Sequence, residues 1–208
     1  ASLSNITELG TAYSPEEIAA IAAVAKRRGL AVHMDGARFA GAVASLGVAP
    51  ADLTWRAGVD VLSFGGSKNG CVAAEAVVFF DPAHARDFAF ARQRIGHGFS
   101  KAWFIAAQFH AYLERGHWLD LARHANGMGA RLAEAIRRSN SVRLAAEPAA
   151  NEIFAILPAA TEARLKAAGA AFNRWNVEAL PEAERPGADE VLVRLVTSFQ
   201  TQAGEIDA

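Results

Sequence analysis

The stretch "SFGGSKNG", residues 63–70, sets one flexible amine, Lys68, behind two glycines and a serine and directly after the apolar run Val59–Leu62. A second stretch, "HMDGAR", residues 33–38, carries His33, Asp35 and Arg38 and follows the apolar residues Leu30–Val32. If both apolar runs are buried strands, an amine stands at the carboxyl end of one and a carboxylate at the carboxyl end of the other. Parallel α/β sheets collect their ligands at those ends. Such a pair is what pyridoxal phosphate chemistry requires. The amine bonds to the cofactor aldehyde, and the carboxylate keeps the pyridine nitrogen protonated so that the ring accepts electrons. Gly65, Gly66 and Ser67 are small enough for the backbone to approach such a cofactor closely. Alone, a strand-end lysine is more often a solvated side chain, and Asp35-Gly36 is a turn dipeptide. The signal lies in the two together, in this order, each after a strand.

The elements that must position them alternate. "SPEEIAAIAAVAKRRG" has the start and stop signals of a helix: Ser14 as N-cap, Pro15 at the first position, Glu17 three residues after the cap, and Lys26, Arg27 and Arg28 before Gly29. "LAVHMD" reads as a strand, "ARFAGAVASLG" as a helix stopping at Gly47, and "APADLTWRAG" as a short helix ending at Gly58. The lysine strand and "EAVVFFD" follow. Strands separated by helices predict a mostly parallel sheet covered on both faces. From Pro82 the chain is largely helical, with breaks near Gly96, Gly98 and Gly116. "EIFAILP", "AFNRWN" and "EVLVRLVTSF" then read as strands, with "TEARLKAAGA" as a helix. That order predicts residues 1–115 as part of an α/β large domain and 116–208 as a smaller α+β domain.

Composition excludes several classes. The chain has 208 residues, 52% of them hydrophobic, enough for a sizeable core. A formal net charge of -1 gives no electrostatic reason to expect nucleic acid or an acidic membrane surface as partner. One cysteine, Cys71, rules out an internal disulfide or a cysteine metal cluster. No apolar run reaches membrane-span length, so a cytoplasmic location is expected. His84, His110, His117 and His124 lack the close pairing of a metal site. His33 and Asp35 fall on one face of an alternating strand, so His33 is expected to support that carboxylate. The phenylalanine- and tryptophan-rich segment 87–118 is expected to form core or, in an oligomer, subunit interface.

The run "HMDGARFAGAVASLGVAPADLTWRAGVDVLSFGGSKNG" resembles the low-specificity L-threonine aldolases, including the branch with phenylserine aldolase. The similarity continues through "AAEAVVFFD", "RQRIGHGFSK" and "LARHANGMGARLAEAI" to "RLVTS". The resemblance implies a fold-type I pyridoxal 5'-phosphate enzyme that cleaves L-threonine-like β-hydroxy-α-amino acids to glycine and an aldehyde. It also implies a homo-oligomer, dimer or tetramer, with active sites at subunit interfaces. By the same resemblance, Lys68 bonds to the cofactor, Asp35 pairs with its ring nitrogen, and Arg38 lies near it and helps hold the substrate carboxylate. Arg194 binds that carboxylate. Lys101 matches a basic residue that reaches the phosphate from the neighbouring subunit. "ASLSNITELGTAY" resembles the interior of the family's large domain. The family's phosphate-cradling Gly-Thr segment, its ring-stacking histidine and its carboxylate-sharing serine are therefore expected upstream of residue 1. Two other readings stay open: a pyridoxal phosphate β-eliminating lyase using the same lysine and aspartate, and a non-catalytic α/β module that has lost the cofactor.

Overall fold

The structure is a computed structural model and describes residues 1–207. The chain divides into two compact units. One comprises Ala1–Asn5 and Tyr13–Ala122, the other Ile6–Ala12 and Arg123 onward.

The first unit is built on a four-stranded sheet in the order β1-β2-β3-β4. β1 (Ser2–Ser4), β2 (His33–Gly36) and β3 (Val61–Gly65) run parallel, and β4 (Glu75–Phe79) runs antiparallel to β3. Helix α1 (Pro15–Arg27) joins β1 to β2 and carries the expected capping box, in which Ser14 and Glu17 each satisfy the other's backbone N–H. Its Ile18, Ala22 and Ala25 are buried at helical spacing. Helix α2 (Phe39–Leu46) follows β2 and stops at Gly47, which takes the left-handed conformation at φ 64°. Met34 and Leu62, at the centres of β2 and β3, are buried between these layers. The short helix expected over residues 49–58 is reduced to its last turn. Thr54 sits at φ -124°, ψ -111°, with its hydroxyl donating to the Pro50 carbonyl, and only a 3-10 turn remains at Trp55–Ala57. Helices α3 (Phe88–Arg94) and α4 (Trp103–Leu113) complete the unit, and α5 (His117–Arg137) carries the chain from the first unit into the second.

The second unit has an antiparallel sheet in the order β5-β6-β8-β7: β5 (Arg143–Leu144), β6 (Glu152–Pro158), β8 (Glu190–Val196) and β7 (Asn173–Arg174). Helices α6 (Ala159–Ala167) and α7 (Ala203–Asp207) are its other regular elements after α5. β6 reads as an unbroken apolar run because both its faces are covered. Ile153, Ala155 and Leu157 pack with Ile136 and Val193 on one side. Phe154 and Ile156 pack with Leu180 and Leu192 on the other. The expected strand "AFNRWN" shrinks to the pair Asn173–Arg174. Among the described residues, no helix is long and apolar enough to cross a membrane.

Candidate active site

β2 and β3 lie side by side with Asp35 opposite Ser63 and Gly36 opposite Phe64. Because they are parallel, their carboxyl ends fall at one end of the sheet. Asp35 is exposed there, and its Oδ1 accepts from the Ala37 backbone N–H at 2.9 Å. Lys68 follows β3 in a 3-10 turn, Ser67–Asn69, and is exposed. Its amine makes no hydrogen bond or ion pair among the described residues. The structure thus brings the candidate amine and the candidate carboxylate to the ends of neighbouring strands.

The lysine does not stand in a strand-to-helix loop. The chain turns back through Gly66–Ala74 into antiparallel β4, so Lys68 occupies the connection of a β3–β4 hairpin. That connection is closed by its own hydrogen bonds. Gly66 N–H donates to Ala74 O at 2.9 Å, and Asn69 and Cys71 N–H groups both donate to Gly66 O. Ser67 N–H donates to Glu75 Oε1, and Ser67 Oγ accepts from Ala74 N–H. The glycines serve this packing before any ligand. A Cβ at Gly65 would lie 2.9 Å from Ala37 Cα, and one at Gly66 would lie 2.9 Å from both Ala74 O and Cys71 Sγ. Both distances are shorter than side chains tolerate.

Asn69 is a residue that the sequence reading passed over. It is buried, and its Nδ2 donates to Tyr112 Oη at 2.7 Å and to Trp118 O at 2.8 Å. Tyr112 belongs to an aromatic cluster with Phe64, Phe109 and Trp118. Burial pushes its phenol up to about 12 despite the Asn69 bond. The aromatic segment therefore divides. Tyr112 and its neighbours form core, while Phe90, Phe99, Trp103 and Phe104 are exposed.

The remaining candidates are placed as follows. Arg38 is half-buried at the N-cap position of α2, three residues beyond Asp35. Lys101 is exposed in the turn before α4. His33 does not support Asp35. Its Nδ1 lies 2.9 Å from Ser2 Oγ and its Nε2 lies 2.8 Å from Ser63 Oγ, so the ring bridges β1, β2 and β3 across the sheet. Strand alternation gave the face correctly, but cross-strand serines are nearer partners than a residue two positions along. His84, His97, His110, His117 and His124 are exposed. The described residues hold no cluster of three or more His, Cys, Asp or Glu fit for a metal ion. Cys71 is half-buried, and burial, with the Glu75 charge second, pushes its thiol up from the ordinary value.

Arg194 stands in the second unit, on β8, opposite Phe154 of β6 and Asn173 of β7. Its guanidinium lies over the Trp175 ring with Cζ 4.2 Å from the centroid, and Nη1 is 3.5 Å from Glu152 Oε1. Glu152 is nearly fully buried, whereas the Arg194 side chain keeps 29% of its surface exposed. A planar cation with a fixed plane and an accessible edge can receive a carboxylate through two parallel hydrogen bonds. Trp175 and Glu152 were not singled out from sequence. The available signal for Glu152 was an acid at the head of a buried strand.

The family model described as beta-eliminating lyase matches residues 1–160. A low-specificity L-threonine aldolase of Pseudomonas aeruginosa is 44% identical over 170 residues, covering 82% of this chain and 49% of the relative. Another, from a Pseudomonas species, is 43% identical over 152 residues, covering 73% of this chain and 44% of the relative. The chain thus spans about half the length of the curated relatives it matches. Among solved structures, a threonine aldolase of Leishmania major superposes with a TM-score of 0.85 at 28% identity, over 99% of this chain and 57% of that one. A protein from Exiguobacterium, described as a putative aromatic amino acid beta-eliminating lyase/threonine aldolase, shares the fold with a TM-score of 0.75 at 16% identity, over 99% of this chain and 58% of that one. The architecture is that of the fold-type I enzymes. With more than three quarters of its residues matched by the family model, and the strand-end lysine and aspartate inside the matched range, the chain belongs to the beta-eliminating lyase family.

Proposed function

We propose that the protein to which this chain belongs is a pyridoxal 5'-phosphate-dependent aldehyde-lyase. It cleaves L-threonine-like β-hydroxy-α-amino acids, phenylserine among them, to glycine and an aldehyde. The observation that carries the reading is the placement of an exposed lysine amine, unpaired among the described residues, and an exposed carboxylate at the ends of two neighbouring parallel strands. The donor set fits the cofactor. A primary amine can bond to its aldehyde, and a carboxylate can hold a proton on its ring nitrogen. When bound, the cofactor supplies an electron-accepting ring for the pair released as the bond between the α and β carbons breaks.

The residues of this chain would then act as follows. Lys68 would hold the cofactor by its aldehyde. Asp35 would keep the ring nitrogen protonated, and Arg38 would lie near the cofactor and help hold the substrate carboxylate. Lys101 is the residue offered to the phosphate, from a neighbouring copy in an oligomer. Arg194 would receive the substrate carboxylate through its guanidinium fork. The substrate is a small amino acid; the charge balance gives no reason to expect nucleic acid as a partner.

The test is product analysis with the full-length protein. Threonine or phenylserine should yield glycine and an aldehyde in equal amounts. An α-keto acid with ammonia would instead make the protein a β-eliminating lyase built on the same two residues.

A further inference from the structure

The side chain next to Lys68 is buried and makes two hydrogen bonds. Asn69 offers two amide protons. One goes to Tyr112 Oη on the last turn of α4, the other to Trp118 O on the first turn of α5. These two acceptors converge because the helices are separated by a sharp corner. Arg115 takes φ 53°, a conformation uncommon for a side-chain-bearing residue, and Gly116 follows at φ 78°. Two successive left-handed residues break the helix and turn both ends toward one amide.

The same tyrosine also meets the residue that precedes the turn. Phe64, in the last part of β3, packs with its ring centroid 6.2 Å from that of Tyr112, the rings tilted by 40°, and meets the Trp118 ring edge-on at 5.7 Å. Lys68 is therefore bracketed. Before it, Phe64 packs on the α4–α5 corner; after it, Asn69 bonds to that corner. Between them the backbone is closed by the bonds to Gly66 and Ala74. The lysine Cα has a fixed position while its amine remains exposed.

We propose that Asn69 is the positioning residue for Lys68: its amide fastens the lysine turn to the α4–α5 corner, so that the amine is presented at a set place beside Asp35. This rests on the reading of Lys68 as the cofactor-bonding amine. The alternative is an amide that merely holds two helices together, with no bearing on the lysine. The two predict different readouts. A structural amide affects melting temperature alone. A positioning amide also affects how readily Lys68 bonds to an aldehyde.

The experiment uses the full-length protein with Asn69→Ala, Tyr112→Phe and the double variant. Tyr112→Phe removes one acceptor and keeps the ring in its cluster, so it carries the test even if Asn69→Ala does not fold. Cofactor-free protein is incubated with pyridoxal, reduced with borohydride, and the adduct at Lys68 is quantified by peptide mass against adducts at Lys26 and Lys166. Loaded protein is followed for cofactor release and for the pH midpoint of its absorption band. Losing a buried hydrogen-bond partner should lower Lys68 labelling and cofactor retention by about tenfold in Asn69→Ala. Tyr112→Phe should give a smaller change in the same direction, and the double variant should be no worse than Asn69→Ala, because both act through one bond. Labelling, retention and band midpoint that stay at wild-type values while the melting temperature drops would overturn the proposal. Lys68→Ala is the control for the underlying reading. An adduct or absorption band that survives it would remove the lysine assignment itself, and this proposal with it.

Discussion

The Arg194 guanidinium lies over the Trp175 ring, with Cζ 4.2 Å from the ring centroid. Three elements meet there, because Arg194 is on β8, Trp175 directly follows β7, and Glu152 opens β6. The ring gives the cation a face to rest on, and the buried Glu152 carboxylate lies 3.5 Å from its Nη1. Stacking of this kind suits arginine, which is planar and weakly hydrated, and not lysine.

Arg194→Lys keeps the charge and loses both the fork and the stacking. It is expected to raise substrate KM by about one to two powers of ten, the worth of a charge-assisted hydrogen bond, while cofactor absorbance is retained. Trp175→Ala should move KM the same way by less, since the fork survives without its platform. Steady-state kinetics with threonine checks both. Loss of cofactor at unchanged KM would assign Arg194 to the cofactor instead.

Lys68→Ala is expected to give a folded protein with no cofactor absorption band and negligible cleavage. The side chain is exposed and unpaired, so its removal costs the fold little. Lys68→Arg should fail as completely, because a guanidinium does not lose its proton near neutral pH. Absorption spectra and circular dichroism separate loss of chemistry from loss of fold, and wild-type turnover in either variant would refute the assignment.

Asp35→Asn leaves the hydrogen bond from Ala37 N–H an acceptor but removes the charge. Cofactor should still bind, while carbon–carbon cleavage slows by about two to three powers of ten, the usual cost of one electrostatic contact in a water-excluded site. Single-turnover kinetics on the reloaded variant measures this. An unchanged rate would leave Asp35 as a turn residue.

Acid should unfold the second unit through two carboxylates. Hydrogen bonds from Arg174 and then Lys166 pull Glu162 from an ordinary 4.5 down to about 2. Arg143 and the Gly187 N–H do the same for Glu190, also to about 2. A carboxyl whose folded value lies below its unfolded one stabilises the fold above the unfolded value and loses that contribution as pH falls through the folded one. Melting temperature should therefore fall between about pH 4.5 and pH 2. Glu162→Gln should flatten that slope while lowering the melting temperature at neutral pH. An unchanged slope would show that Glu162 titrates alike in the folded and unfolded chain and does not drive the acid transition.

Local signals made the first unit legible. The Ser14 capping box, the Gly47 stop and the two strand-end motifs are each contained within a few residues. Tertiary bonds were the part that could not be read. His33 takes partners on both flanking strands, and the Asn69 amide depends on a corner more than forty positions downstream. The short helix read over 49–58 is reduced to a 3-10 turn at Trp55–Ala57, because the backbone at Thr54 leaves the helical region, which composition does not reveal. The reversal of β4 was hidden too, since an apolar strand reads alike in both directions. In the second unit, the apolar run of β6 was plain, but the two-residue β7 has too little pattern to set its bounds.

Gly10 sits at φ 76°, and a Cβ there would lie 2.4 Å from the Glu152 carbonyl oxygen. Its own carbonyl accepts from Ala149 N–H at 2.8 Å, and Leu9 packs beside Phe154 and Leu192. This strip, Ile6–Ala12, belongs to the second unit although both its neighbours in the chain belong to the first. The smaller unit is thus not one continuous length of polypeptide. During synthesis its first piece leaves the ribosome more than a hundred residues before the strand it covers, and must wait for it. A fragment cut at Arg123 would lack that strip and leave the backbone beside Glu152 open to water, whereas supplying the strip as a separate peptide should restore its cover.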